Sequence, residues 1–517
     1  MLNKCFCATC IGVDAVVVTV EVDLSVGIGI HLVGLPDSAV RESLLRVITA
    51  LTSYGFRIPG RKLVVNLAPA DIRKEGSAYD LAIAIGMLAV SEQIQVVDGE
   101  KFLIMGELAL DGRIRPVPGV LPVALQARAE GFCGCIFPAE SAREAAEVDG
   151  LAVYGVSSLA EAIEVLSARE NCDHLRVRKR ACAENDRPSG NDFQQVRSQP
   201  VAKRGLEIAA AGGHNIILVG APGSGKSLMA SCLPSILPPM TREEAIETGK
   251  VYSVAGRGAR MDGLMRQRPF RAPHHSASLV SLIGGGQNAA PGEISLAVNG
   301  VLYLDEIAQF SRSLLDALRQ PLEDGKVTIS RAKYKVDYPA HFMLVASMNP
   351  CPCGYYGDDS GRCTCSRGAV EGYLSRISGP MMDRIDLQIW VKSLSAVELL
   401  GFSSDEKARR QEESSAVIAR RVAKARAVQE ARFAGTGIFT NAAMGSRQIE
   451  QFCRLSDACR QTLEKILDRM GLSARAYTRI LKVARTIADL AGLPDIQPEH
   501  LLEAAGFRFL DRRKIID

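Results

Sequence analysis

One short stretch narrows the fold of this chain more than any other. Gly220-Ala221-Pro222-Gly223-Ser224-Gly225-Lys226-Ser227 fits the pattern G-x-x-x-x-G-K-[ST]. The residues before it, Ile216 to Val219, form an apolar strand, and Leu228-Met229-Ala230 begins a helix. In a strand–loop–helix unit the glycines let backbone N–H groups face a phosphate at the helix N-terminus. The spacing therefore predicts an α/β region with a parallel sheet that binds a nucleotide through residues from Gly220 to Leu228, Pro222, Gly223, Ser224 and Gly225 included. Lys226 is expected to reach the β- and γ-phosphates and Ser227 to ligate Mg²⁺, so ATP and Mg²⁺ are the expected cofactors.

Three further segments suit the same crevice. Val301 to Leu304 is an apolar strand that delivers Asp305 and Glu306 at its C-terminal end. Asp305 is expected to hold Mg²⁺ through its water shell, and Glu306 to polarise the attacking water. The strand Phe342 to Met348 ends at Asn349, whose amide suits orienting that water; an Asn before Pro350 is also an ordinary turn former. Ser378 to Asp386 carries Arg384, which suits transition-state charge in a neighbouring subunit or an ion pair with Asp383 or Asp386. Arg475, at the opening of a helix after Gly471, is placed to reach the nucleotide from a lid.

The chain has 517 residues, enough for about three domains. Residues 1–168 read as mixed α/β, 169–200 as an exposed linker with a basic cluster, 201–395 as the nucleotide-binding core and 396–517 as a helical lid. Strand signals lie at 14–24, 62–67 and 102–109, and a helical one at 37–54. The longest apolar run, Leu81 to Val90, is far short of the roughly 18 residues that span a bilayer. The first residues make a poor signal peptide because Asp14 interrupts the apolar stretch. The chain is read as cytoplasmic, with no membrane partner. Its 14 cysteines are then thiols or metal ligands rather than disulfides.

A formal net charge of +4 does not announce a nucleic-acid binder, so any DNA contact must come from local patches. One candidate is the hairpin Lys326 to Val336, whose basic tip offers Arg331 and Lys333, with Lys335 beside it; the same charges also suit a merely solvated hairpin. The helix holding Arg420, Arg421, Lys424, Arg426 and Arg432 reads as a solvated face. Cys351, Cys353, Cys363 and Cys365 form C-x-C-x9-C-x-C in a glycine-containing loop, a set that suits a structural Zn²⁺. Cys5, Cys7 and Cys10 read as buried strand thiols.

These segments together resemble the Mg-chelatase-like AAA+ family, in its ComM/YifB branch. The resemblance is carried by Val64 to Asp71, the P-loop, Arg268 to Ser276, Pro291 to Ile294, Leu304-Asp305-Glu306, Asn349 to Gly354, Asp383 to Asp386 and Ser473 to Leu490. It implies a helix-2-insert AAA+ module working as a hexameric ring. It makes Asn349 the first sensor, Arg384 the arginine finger and Arg475 the second sensor. It also sends the basic hairpin into the ring's pore, and it puts the insert within 266–292, where Gly284-Gly285-Gly286 predicts a mobile loop. Ser198-Gln199-Pro200 departs from the family's usual Gly-Gln, which puts the contact near the adenine in question. The N-terminal domain resembles the Lon protease domain. On that resemblance Ala78 stands near the nucleophile position and Ser77 one residue off, and Gly119 to Ala124 carries no lysine. A serine without its base is no activated nucleophile, so a non-proteolytic scaffold or DNA-facing module is implied.

The function implied is an ATP hydrolase translocating on single-stranded, forked or branched DNA. The branch implies helicase action and branch migration of recombination intermediates, including those of natural transformation. The alternative is a protein-remodelling or chelatase-type motor acting on a partner protein. An ATP-dependent protease would need the missing dyad.

Overall fold

The computed structural model describes residues 2–167, 172–179, 191–258, 263–286, 288–330, 335–358, 361–393 and 412–511. Alternation along Asp14–Ser25 buries Val18, Val20, Val22 and Leu24 on one face. The ten residues before it are also a strand, Leu2–Ile11, paired antiparallel across a turn at Gly12. Cys5 and Cys7 face inward there as buried thiols. This hairpin lies mid-sheet in a seven-stranded sheet. Its order is Ile30–Val33, Lys62–Ala68, Asp14–Ser25, Leu2–Ile11, Phe102–Ile104, Gly134–Pro138, Ala152–Val156. The apolar run is the wholly internal part of helix Asp80–Val90. The expected strand at 102–109 is broken instead into Phe102–Ile104 and Glu107–Leu108. The chain turns at Gly106, whose N–H bonds Ala78 O at 2.9 Å and where a Cβ would lie 2.9 Å from Ile114.

The second sheet has five strands, all parallel, in the order Phe270–Arg271, Val301–Leu304, Met343–Met348, Ile216–Gly220, Leu387–Val391. Its central strands are buried throughout and, but for Ser347, read as apolar runs because both faces are covered. Helix Pro200–Gly212 packs between this sheet and the lid helices Ser415–Arg432 and Ala474–Leu490. Two more helices, Asp457–Met470 and Pro498–Gly506, complete the lid core.

The two sheets belong to domains that touch directly. Gly119 N–H donates to Ser253 O at 3.0 Å and Leu121 N–H to Ser253 Oγ at 3.2 Å. Lys250 pairs with Asp14 at 3.0 Å, and Arg242 with Asp149. The expected exposed linker is in part packed. Val177 N–H bonds Val153 O at 2.8 Å and Gly155 N–H bonds Leu175 O at 2.9 Å, extending the first sheet. Phe193 is wholly buried in the core of the second domain. The basic helix Ser415–Arg432 differs from its expected solvated face as well. Arg421 pairs with Glu207 and Glu413, Arg426 donates to Ala210 O, and Arg432 pairs with Asp489. Among the described residues no helix is long and apolar enough to cross a membrane.

Candidate nucleotide site

The parallel order sets the C-terminal ends of Ile216–Gly220, Val301–Leu304 and Met343–Met348 side by side. That rim is where open α/β sheets bind ligands. Gly220 must be glycine, because a Cβ would stand 2.4 Å from Val391 O. Gly223 and Gly225 have φ of +77° and +88°, and a Cβ on either would meet open space. Inside the loop the Ser224 hydroxyl is buried without a partner among the described residues. A cradle of turned-in backbone with an unsatisfied hydroxyl fits a polyphosphate.

The four sequence-predicted groups meet here. Lys226 Nζ donates to Gly220 O at 2.7 Å, Ala221 O at 2.8 Å and Asn349 Oδ1 at 3.3 Å. Burial lowers its pKa, against the pull of Asp305 and Glu306. Ser227 Oγ donates to Asp305 Oδ2 at 3.1 Å, which brings the two expected Mg²⁺ ligands together. Burial pushes Asp305 toward the neutral form, but hydrogen bonds from Ser347, Tyr303, Ser227 and the Glu306 N–H outweigh it and hold its pKa below the usual carboxylate value. Glu306 has φ of +51° and ψ of +51°, a left-handed conformation rare for a glutamate. Its N–H is gripped by Asp305 Oδ1 at 3.1 Å and by Ser347 Oγ at 3.2 Å. Such strain persists only where the surroundings impose it, and it clusters at functional sites.

The two outlying arginines are occupied within their own chain. Arg384 is almost wholly buried, with its guanidinium on Glu323 and on the carbonyls of Arg319 and Pro380. Its ion-pair partner is therefore neither Asp383 nor Asp386. Those acids hold the lid instead: Arg475 donates to Asp383 at 3.2 Å, and Arg479 pairs with the fully buried Asp386. Asp386 also bonds His214 Nδ1 at 3.1 Å, and His214 Nε2 meets Thr486 Oγ1 at 2.8 Å. Arg475 thus reaches toward the core without touching the P-loop residues.

The four cysteines also converge. Their sulfurs all lie within 4.8 Å of one another, with Cys351 to Cys353 at 3.3 Å, Cys353 to Cys363 at 3.6 Å and Cys351 to Cys363 at 3.9 Å. A tetrahedral Zn²⁺ with roughly 2.3 Å bonds puts its sulfurs about 3.8 Å apart, so the set fits. Backbone N–H groups of Tyr355 and Thr364 draw Cys353 down to about 6.

Comparison with known proteins agrees with this geometry. Three family models match in chain order: "Subunit ChlI of Mg-chelatase" over residues 20–141, "Magnesium chelatase, subunit ChlI" over 192–399, and "Magnesium chelatase, subunit ChlI C-terminal" over 412–508. The competence protein ComM of Haemophilus influenzae is 44% identical over 97% of this chain and 96% of its own length. The chain belongs to the Mg-chelatase-like AAA+ family, in its ComM/YifB branch. The uncharacterized YifB of Escherichia coli is 42% identical over 97% of this chain and 96% of its own. An uncharacterized protein of Mycobacterium tuberculosis is 38% identical over 99% of this chain and all of its own.

The remaining ComM/YifB-type motifs acquire structural reasons. Arg271, on the edge strand of the second sheet, makes a two-pronged pair with Glu293, at 2.6 and 2.7 Å. Arg268 caps Pro238 O at 2.7 Å and pairs with Glu244 at 2.8 Å. His274 bonds Ser276 at 2.7 Å. Gly284–Gly285 is laddered against Ala290–Pro291, where a mobile loop was expected. Gln199 Nε2 reaches Lys392 O at 2.7 Å despite the departure at Ser198. The hairpin forms as Lys326–Ser330 and Lys335–Pro339. Lys326 is paired with Asp337 at 3.1 Å, and Lys335 is exposed; Arg331 and Lys333 lie outside the described residues. In the first domain Ser77 Oγ donates to Glu107, and Lys74 Nζ to Pro69 O.

Sequence reasoning missed Ser347, Tyr303 and His214, and named Asp386 only as a partner for Arg384 rather than for Arg479 and His214. Ser347 had a signal: it lies two residues before Asn349, on the same side of a strand, and is the only polar residue in Met343–Met348.

Proposed function

We propose that this chain is an ATP-driven motor on DNA. It hydrolyses ATP with Mg²⁺ and moves on single-stranded, forked or branched DNA, as a helicase that migrates branches of recombination intermediates. The observation that carries the hydrolytic half is the junction of Ser227 with Asp305 and of Lys226 with Asn349, one step from the strained Glu306. Lys226 binds phosphate, and Ser227 and Asp305 are the residues that would hold Mg²⁺. Mg²⁺ supplies positive charge to the phosphate oxygens when bound. Glu306 orients and deprotonates the attacking water, and Asn349 positions it. Arg475 acts from the lid. Arg384 acts in a neighbouring copy's site, which requires release from Glu323 and a closed ring, six copies by family resemblance.

The DNA half is supported by the name of the Haemophilus relative, a competence protein, and by the basic hairpin. Copies of Arg331, Lys333 and Lys335 around a pore would follow phosphates. Natural transformation is the process to which this assigns it, with a cytoplasmic location. The first domain serves as a non-proteolytic scaffold or DNA-facing module. The rival, a chelatase-type motor working on a partner protein, draws on the description of the matching family models. Steady-state hydrolysis with and without single-stranded and forked DNA, at two salt concentrations, separates the two. Salt-sensitive stimulation supports the DNA motor; an active ATPase indifferent to every DNA supports the rival.

A further inference from the structure

Among the described residues, the loop from Cys351 to Ser366 has no helix or strand before Arg367–Leu374, yet it is seated closely. Cys351 is wholly buried and follows Asn349 by two residues. A turn closes there, with Gly354 N–H on Cys351 O at 3.0 Å. Gly354 has φ of +88°, and a Cβ on it would lie 2.7 Å from Pro222 Cδ of the P-loop and 3.9 Å from Asn349 Cγ. Further on, Gly357 presses on Trp390, where a Cβ would lie 2.8 Å from the ring. Trp390 stands on Leu387–Val391, in register with Val219 at the end of the P-loop strand. A single irregular segment thus touches the P-loop, the sensor asparagine and the strand beside them. Its described backbone bonds include Asp358 N–H to Tyr355 O at 3.2 Å and Gly361 N–H to Asp358 O at 3.4 Å. Segments of this kind take their shape from a cross-link, and four thiols select a soft tetrahedral cation.

We propose that Cys351, Cys353, Cys363 and Cys365 hold one Zn²⁺, and that this clasp sets Asn349 and Pro222 in place for ATP hydrolysis; the second clause rests on reading Gly220 to Leu228 as an ATPase site. The cysteines are metal ligands, and Gly354 is a positioning residue that acts through Pro222. Nucleotide affinity comes mainly from P-loop N–H groups and Lys226, so loss of the clasp lowers kcat more than it weakens binding.

The test uses the full-length protein as purified. Zinc content is counted, and kcat, the Kd for a fluorescent ATP analogue and the emission of Trp390 are followed through chelation and zinc return. Trp390 is the chain's one tryptophan, so the emission comes from one ring, the one that Gly357 of this loop and Phe509 meet. The expected result is one zinc per chain, a Trp390 shift on its removal, and a kcat loss of about tenfold with Kd changed less than about threefold, reversed by zinc. Cys363→Ser with Cys365→Ser should do the same. Should that variant misfold, Gly354→Ala keeps every sulfur and should retain zinc while lowering kcat. Zinc-free protein with full hydrolysis and four freely titrating thiols overturns the clasp. Zinc whose removal leaves both kcat and Trp390 unchanged overturns the positioning claim. Zinc-bound protein that never hydrolyses ATP overturns the ATPase reading and, with it, the positioning claim; the zinc count and the Trp390 response show which part failed.

Discussion

At the scale of single residues, the nucleotide site is a set of groups whose charges are held by their neighbours. Lys226 sits beside two carboxylates, and Asp305 stays ionised because three hydroxyls and one N–H point at it. Lys226→Ala should cut steady-state ATP hydrolysis by at least about 100-fold, as loss of a preorganised charge stabiliser does. Ser347 is a subtler case. Its hydroxyl donates to Asp305 and accepts the Glu306 N–H, so it positions both acids without facing the nucleotide. Ser347→Ala should lower kcat about tenfold while leaving nucleotide affinity near wild type, measured by hydrolysis and by equilibrium binding side by side. Lys226, Ser227, Asp305 and Asn349 were legible in the sequence because each sits at a fixed offset from a strand end. Ser347 was not singled out, because a small residue inside an apolar strand reads as core.

At the scale of elements, the lid is tied to the core through buried charge. The start of Leu387–Val391 offers Asp386 to Arg479 of helix Ala474–Leu490, with His214 and Thr486 completing the chain. Arg479 and His214 hold the Asp386 carboxyl far below its ordinary pKa in spite of burial. That stabilisation is therefore present above the unfolded value of about 3.8 and is lost only in strong acid. Asp386→Asn leaves the partly buried Arg479 beside a neutral group, and urea unfolding at pH 7 should show a loss of about 2–3 kcal/mol. Strands and helices with clear periodicity were legible: Asp14–Ser25, Lys62–Ala68 and helix Ser38–Ser53 lie where the pattern puts them. Cys5 and Cys7 of the first strand were read as buried strand thiols and are so, but the strand's extent, Leu2–Ile11, was not legible, because its polar and apolar residues do not alternate cleanly. The basic helix misled because charge on a helix looks the same from sequence whether it meets water or, as with Arg421 and Arg432, buried acids on neighbouring elements.

At the scale of the whole molecule, the first domain rests on the second through an interface of polar and apolar groups, Lys250 on Asp14 and Val13 against the Val251–Tyr252 cluster among them. Glu144 is buried in it beside Ser253 and Gly258, and burial pushes its pKa up to about 7. The folded state thus holds a proton that the unfolded chain releases near 4.5, and stability falls as pH rises from about 4.5 to about 7. Glu144→Gln imitates the protonated form. It should match wild type in thermal melts at pH 5 and exceed it by on the order of 2 kcal/mol at pH 8. None of this docking was readable in sequence, since the contacts join residues more than ninety positions apart. The turn at Gly12 is also seated on Val336 of the basic hairpin, so the first domain and the proposed DNA-tracking element are in direct contact. The measurement that bears most directly on the account is ATP-dependent migration of a synthetic branched DNA joint, followed by strand release, for wild type and Lys226→Ala in parallel. Release that requires ATP and is lost in Lys226→Ala is the predicted result. An ATP-hydrolysing wild type that leaves every branched substrate intact would contradict it.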